Sequence, residues 1–130
     1  MARIARQETQ SDVVVAMSGS LPIRSRTIDV VVSSASLKDW GDRLGGLREI
    51  QRVLRNDGVG RVFEFVTTGP GSAPDGFRRR YGLVSDLLRR IAGYVIPFSV
   101  EDARVLAEQV GGHIRMEADL GVVELALGPR

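Results

Sequence analysis

Cysteine is absent from these 130 residues, and histidine occurs once, as His113. Disulfides, thiolate metal sites and cysteine nucleophiles are therefore excluded. Multi-histidine metal centres are excluded as well, so no metal ligand set is assigned. No apolar run approaches the roughly 18–20 residues of a membrane-spanning helix. The opening Met1-Ala2-Arg3-Ile4-Ala5-Arg6 is not followed by the apolar core of a signal peptide. A cytoplasmic protein with no membrane partner is the expectation. Lysine is nearly missing too: of 18 basic residues only Lys38 is lysine, and the formal net charge is +2. So mild a charge argues against a nucleic-acid partner. Aromatics make up 5% of the chain, and no aromatic interleaving among the arginines at 78–80 and 89–90 suggests base stacking. That cluster reads as a solvated helix face before it reads as a phosphate site.

What is present is the alternation of an α/β domain. The length suits one domain, residues 1–130, with 1–10 as a loose N-terminal segment. Two short apolar runs rich in valine, 12–17 and 28–33, read as buried strands of a parallel sheet. Residues 42–55 carry Leu44, Leu47, Ile50, Val53 and Leu54 on one helical stripe, and Asn56-Asp57-Gly58 reads as the helix stop. Residues 61–67 read as a third strand, 69–76 as a loop and 77–91 as a second helix. A third helix spans 99–110, with Ser99 and Asp102 as its cap and Gly111-Gly112 as its stop. Segments 113–118 and 122–127 read as a terminal hairpin. Strands alternating with helices imply right-handed crossovers. The 12–17 and 28–33 strands are expected as parallel neighbours.

The order Leu21-Pro22, Thr27-Ile28-Asp29-Val30-Val31-Val32-Ser33, Leu37-Lys38-Asp39-Trp40-Gly41-Asp42, and Glu49 through Gly58 resembles the middle of class I S-adenosylmethionine (SAM)-dependent methyltransferases. The likeness is to the ubiquinone/menaquinone-biosynthesis type, "LP … FDVV-S … LHHW-D … E-RVL-PGG". It is specific over 21–65 and loose over the rest of 11–127. It implies a truncated Rossmann-like methyltransferase fold, mostly parallel, ending in an antiparallel hairpin. It also implies SAM as cofactor and a small-molecule methyl acceptor. The family's glycine-rich SAM loop belongs upstream of the matched region. Gly45-Gly46, Gly58-Val59-Gly60 and Gly69-Pro70-Gly71 do not stand where that loop stands.

By this resemblance, Met17 and Ser18 occupy the positions of the acid-plus-small pair that contacts adenine, with methionine in place of the acid. The turn holding Ser33, Ser34, Ser36 and Leu37 falls beside the methionine end of SAM. The candidate cofactor residues are therefore Met17, Ser18, Ser34, Ser36 and Leu37. The serines also fit plain turn chemistry at a strand end. Asp39 or Asp42 reads as the cap of the next helix or as a substrate-orienting acid. Trp40 reads as packing over the sheet's carboxyl edge or as a pocket wall. No catalytic residue is assigned. The missing loop implies a completing partner, either a second copy of the chain or a complementary methyltransferase half. A non-catalytic interaction or regulatory module of the same fold is the alternative.

Overall fold

The computed structural model describes residues 12–66, 98–117 and 122–130. The expected helix at 77–91, the 69–76 loop and the 1–10 segment lie outside the described residues. The elements run β1 (Ile28–Ser34), a single 3-10 turn (Leu37–Asp39), α1 (Arg43–Val53), β2 (Leu54–Phe65), α2 (Val100–Val110), β3 (His113–Glu117) and β4 (Val122–Leu127). The sheet order is β1-β2-β4-β3. β1 and β2 are parallel, whereas β2–β4 and β4–β3 are antiparallel. The expected terminal hairpin is present, and the structure is α/β with a truncated Rossmann-like sheet.

The pleat sorts the side chains into two faces. Gly60, Val62 and Glu64 of β2 align with Val123, Leu125 and Leu127 of β4, and all six are buried. Leu47 and Ile50 of α1 and Ala103 and Ala107 of α2 pack on this face. At full burial, one leucine or valine side chain contributes about 1.5–3 kcal/mol. The opposite face carries Val30 and Val32 of β1 and Val59 and Phe65 of β2. These are 61%, 65%, 40% and 58% exposed.

Sequence chemistry accounts for the helix ends. Asp42, one of the two proposed caps, accepts from Gly45 N at 2.8 Å. Ser99 and Asp102 form a reciprocal capping box at α2. Gly111 ends α2 at φ 64, a left-handed conformation that glycine tolerates. Buried Gln51 donates from Nε2 to Val110 O (2.9 Å) and Gly128 O (3.2 Å), which joins α1 to the ends of α2 and β4.

Two expectations are corrected. Residues 12–16 form no strand: the sheet described here ends at β1, and the stretch reaches only an isolated Met17–Ser20 bridge. Val14 and Val15 are 64% and 81% exposed. Strand propensity expresses a fit to neighbouring strands, and β1 pairs with β2, not with 12–16. The second correction concerns 54–58. The helix stops at Val53, and Leu54 already has extended backbone (φ −64, ψ 138). The chain enters β2 directly, with a register shift between the Ile28–Leu54 and Val30–Val59 pairs. Gly58 is needed there for close approach. A Cβ on it would lie 2.9 Å from Ile28 O and 3.1 Å from Asp29 O.

The segment before β1 is pinned along α1. Glu49 accepts from Leu21 N (2.9 Å) and from Arg52 Nε (2.6 Å), and Arg52 Nη2 donates to Leu21 O (3.1 Å). The hydrogen bond from Arg52, with the Leu21 N–H second, lowers the Glu49 carboxyl to about 2 from its ordinary 4.5. A depressed folded pKa stabilises fully above the unfolded value, and the gain is lost as pH falls through the folded one. Glu49→Gln is therefore expected to be less stable than the native chain at neutral pH. The difference should shrink below about pH 4.5 and vanish near pH 2. Urea unfolding of both proteins across that range checks it, and a pH-independent difference would refute it.

Candidate functional site

The candidate site lies at the carboxyl ends of the parallel strands β1 and β2, where open α/β sheets place their ligands. β1 delivers Ser33 and Ser34 to this edge, and the chain turns through Ala35 and Ser36 into the 3-10 turn. Ser34 is exposed and Ser36 half-buried. The hydroxyls of Ser33 and Ser36 share a hydrogen bond at 2.9 Å. Ser36 is thus oriented from within the turn, while Ser34 faces solvent.

Leu37 is fully buried and belongs to the core. Its side chain anchors the turn beneath the site, leaving its backbone as what it can offer a ligand. Met17 is 79% exposed, and Ser18 is half-buried. Ser18 lies over the first turn of α1 beside Trp40. A Cβ on buried Gly46 would fall 2.5 Å from Trp40 Cε3 and 3.2 Å from Ser18 Cβ. Gly46 is therefore the space into which the indole packs. The half-buried ring packs against the core cluster. The structure thus brings Ser18 to Trp40, and the 3-10 turn connects Trp40 to Ser36. Met17 stands at the outer rim.

The residue that pattern reading missed is Glu64. It sits at an inward position of β2 with its side chain 0% exposed. Oε2 accepts from Lys38 N at 3.1 Å, and Oε1 accepts from Phe65 N at 2.9 Å and Lys38 Nζ at 3.3 Å. A buried carboxylate is costly unless paired and hydrogen-bonded, and here both conditions are met. Lys38 Nζ also reaches Ala35 O at 3.4 Å, and Arg43 Nη2 donates to Lys38 O at 2.9 Å. The signal was available. Glu64 interrupts the apolar run Val62-Phe63-Glu64-Phe65-Val66 at an inward parity, and Lys38 is the only lysine.

The arrangement offers serine hydroxyls and turn backbone after β1 and, at the start of α1, a half-buried indole beside Ser18. It presents no nucleophile–base pair. His113 stands at the start of β3, paired in register with Ala126.

Residues 1–62 match the family described as methyltransferase domain. The fold matches as well. A solved complex of a Haloferax volcanii methyltransferase activator with its methyltransferase aligns over 100% of this chain and 68% of that one. The identity is 16% and the TM-score 0.67. A SAM-dependent methyltransferase of Thermotoga maritima aligns over 100% of this chain and 69% of its own, at 15% identity and TM-score 0.68. Over residues 1–62 the chain is similar to that methyltransferase domain, and its fold is that of the solved methyltransferases. An uncharacterized protein of Methanocaldococcus jannaschii is 36% identical over 59 residues. That match covers 45% of this chain and 24% of the relative. The loop after β1 stands at the carboxyl end of the parallel β1–β2 pair. Among the described residues, no helix is long and apolar enough to cross a membrane.

Proposed function

We propose that this chain serves SAM-dependent methyl transfer to a small-molecule acceptor, its SAM site completed by a second polypeptide surface. The observation that carries the reading is the turn after β1. It is a hydrogen-bonded turn at the carboxyl edge of a parallel pair, with Ser34 exposed and Ser36 oriented, inside the segment that matches the methyltransferase domain.

The residues present fit one end of SAM. Hydroxyls and turn backbone suit the amino-acid end, and Trp40 beside Ser18 gives a flat apolar wall. The adenosine end is less well supplied, because Met17 brings no carboxylate. SAM supplies a methyl group already activated on a sulfonium. The protein's task is then orientation and exclusion of water, which can provide much of the barrier reduction. Ser34 and Ser36 would orient the amino-acid end, and Trp40 would exclude water from it. A sparse set of acid–base groups is compatible with this task.

The completing surface is part of the proposal, and coverage is compatible with it. The described sheet stops at β1, and the chain spans about two thirds of each of the two methyltransferase structures compared. The completing surface is either a second copy or a complementary methyltransferase half. One of the two comparison structures holds its methyltransferase with an activator protein, which supports assembly as a route to a competent site. The exposed rim position of Met17 favours the second reading, a non-catalytic module that retains the fold.

Amide chemical shifts followed during titration with millimolar S-adenosylhomocysteine (SAH) separate the two. Methyl-transfer function predicts shifts concentrated at Ser18, Ser34, Ser36, Leu37 and the Trp40 indole. Shifts confined to other surfaces, or none at all, would leave the module reading in place.

A further inference from the structure

Ala35 holds a left-handed backbone, φ 52, in the middle of the candidate site. A non-glycine residue stays there only when its surroundings over-determine the conformation. Here the surroundings converge on it from three directions. Its N–H donates to Phe63 O of β2 at 2.8 Å. Its carbonyl accepts from Lys38 Nζ at 3.4 Å, and that ammonium is held at 3.3 Å by Glu64, a carboxylate with no solvent exposure. Across the same turn, the Ser33 and Ser36 hydroxyls meet at 2.9 Å.

We propose that Lys38 and Glu64 form a latch that holds Ala35 in its strained conformation and thereby positions the 34–37 loop for the amino-acid end of the cofactor. Its functional half rests on the methyl-transfer reading above. Both are positioning residues, with no contact to a ligand required of either.

The choice of residues supports a latch over a plain core contact. An apolar residue at position 64 would fill the same inward site without the desolvation cost of a carboxylate. The acid instead reaches both the Lys38 backbone and its side chain, two points on one turn. Lys38 passes the constraint on to Ala35, two residues before Leu37. Arg43 holds the far side of Lys38 through its carbonyl. Charged groups thus fix the turn from below, while the hydroxyl of Ser34 remains exposed above.

The test is amide hydrogen exchange on the chain carrying Glu64→Gln, with and without Ala35→Gly. The Ala35 amide donates to Phe63 O and not to Glu64, so it reports the turn and not the deleted bond. Glu64→Gln is expected to speed exchange at Ala35 at least tenfold while the Val62 and Leu125 amides keep their rates. Glycine adopts a positive φ without strain, so adding Ala35→Gly should restore protection at position 35. An unchanged Ala35 rate in Glu64→Gln, or no rescue by glycine, overturns the latch.

Should Glu64→Gln speed the core amides equally, Lys38→Arg carries the test. Arginine keeps the charge beside Glu64 but does not reproduce the compact ammonium that bridges to Ala35 O. Exchange at Ala35 should again rise with the core unchanged, and an unchanged rate overturns the proposal. SAH-induced shifts at Ser34 and Ser36 provide the functional readout, lost with the latch and regained with glycine. If exchange responds as expected while the native chain shows no SAH shifts, the latch stands and the methyl-transfer reading falls.

Discussion

Titrated alone with SAM or SAH, the chain is expected to show no saturation in the micromolar range, with its affinity lying in the millimolar range. By the family resemblance three supports are in question: the glycine-rich loop, an acid for the ribose hydroxyls that the family carries in the same upstream region, and the adenine acid, whose position Met17 occupies. A hydrogen bond to a charged group is worth roughly 1.5–3 kcal/mol, so two such losses remove about 3–6 kcal/mol. Micromolar and millimolar binding differ by about 4 kcal/mol, which sets the expected result. Met17→Asp returns one carboxylate to an exposed rim and should tighten binding by up to roughly tenfold. Isothermal calorimetry decides both points. Low-micromolar affinity for the native chain would mean that the described loop, with Ser18 and Trp40, suffices without the missing elements. The experiment is informative either way, because methyl transfer asks more of positioning than of acid–base chemistry.

Much of the fold was legible because its signals are local. The capping box at Ser99 and Asp102, the glycine stop at Gly111 and the helical stripe from Leu44 to Val53 depend on neighbours in sequence, and the structure has them all. The hairpin likewise needed only its two segments. Legibility failed where a distant partner decides. The valines of 12–17 resemble those of 28–33, yet the second run forms a strand because β2 lies beside it, and the first lies outside the sheet. Asn56-Asp57-Gly58 has the composition of a turn, but Gly58 is set by backbone atoms of Ile28 and Asp29 some 30 residues away. The site shows the same division. The turn after β1 was placed by its motif, whereas the Lys38–Glu64 pair joins residues 26 apart. No spacing rule links those two. An acid at an inward strand position calls for a cation, and the sequence does not say which one until the strands are paired.

In the absence of a completing segment, the chain is expected to self-associate, most simply as a twofold dimer of a 14.2 kDa protomer. β1 is the edge strand of the described sheet, and its exposed face carries Val30 and Val32, continued by Val59 and Phe65 of β2. An edge without lysine or proline, next to an apolar face, is a template for pairing. The salt bridge of Arg61 with Glu124 interrupts this face without covering the valines. The two faces of the sheet should therefore respond to substitution in opposite ways. Leu125→Ala, on the helix-covered face, should cost about 2–5 kcal/mol of folding stability through cavity formation. Val32→Asp, 65% exposed in the protomer, should change protomer stability by no more than about 0.5 kcal/mol while abolishing the dimer, because it buries a carboxylate at the contact. Light scattering at tens of micromolar together with urea unfolding measures both quantities. A concentration-independent mass of one protomer for the native chain would show that this face stays exposed without a partner. A completing methyltransferase half would join the sheet at the same edge. Adding such a half should then replace the dimer with a one-to-one complex, and failure to compete would place its docking surface elsewhere.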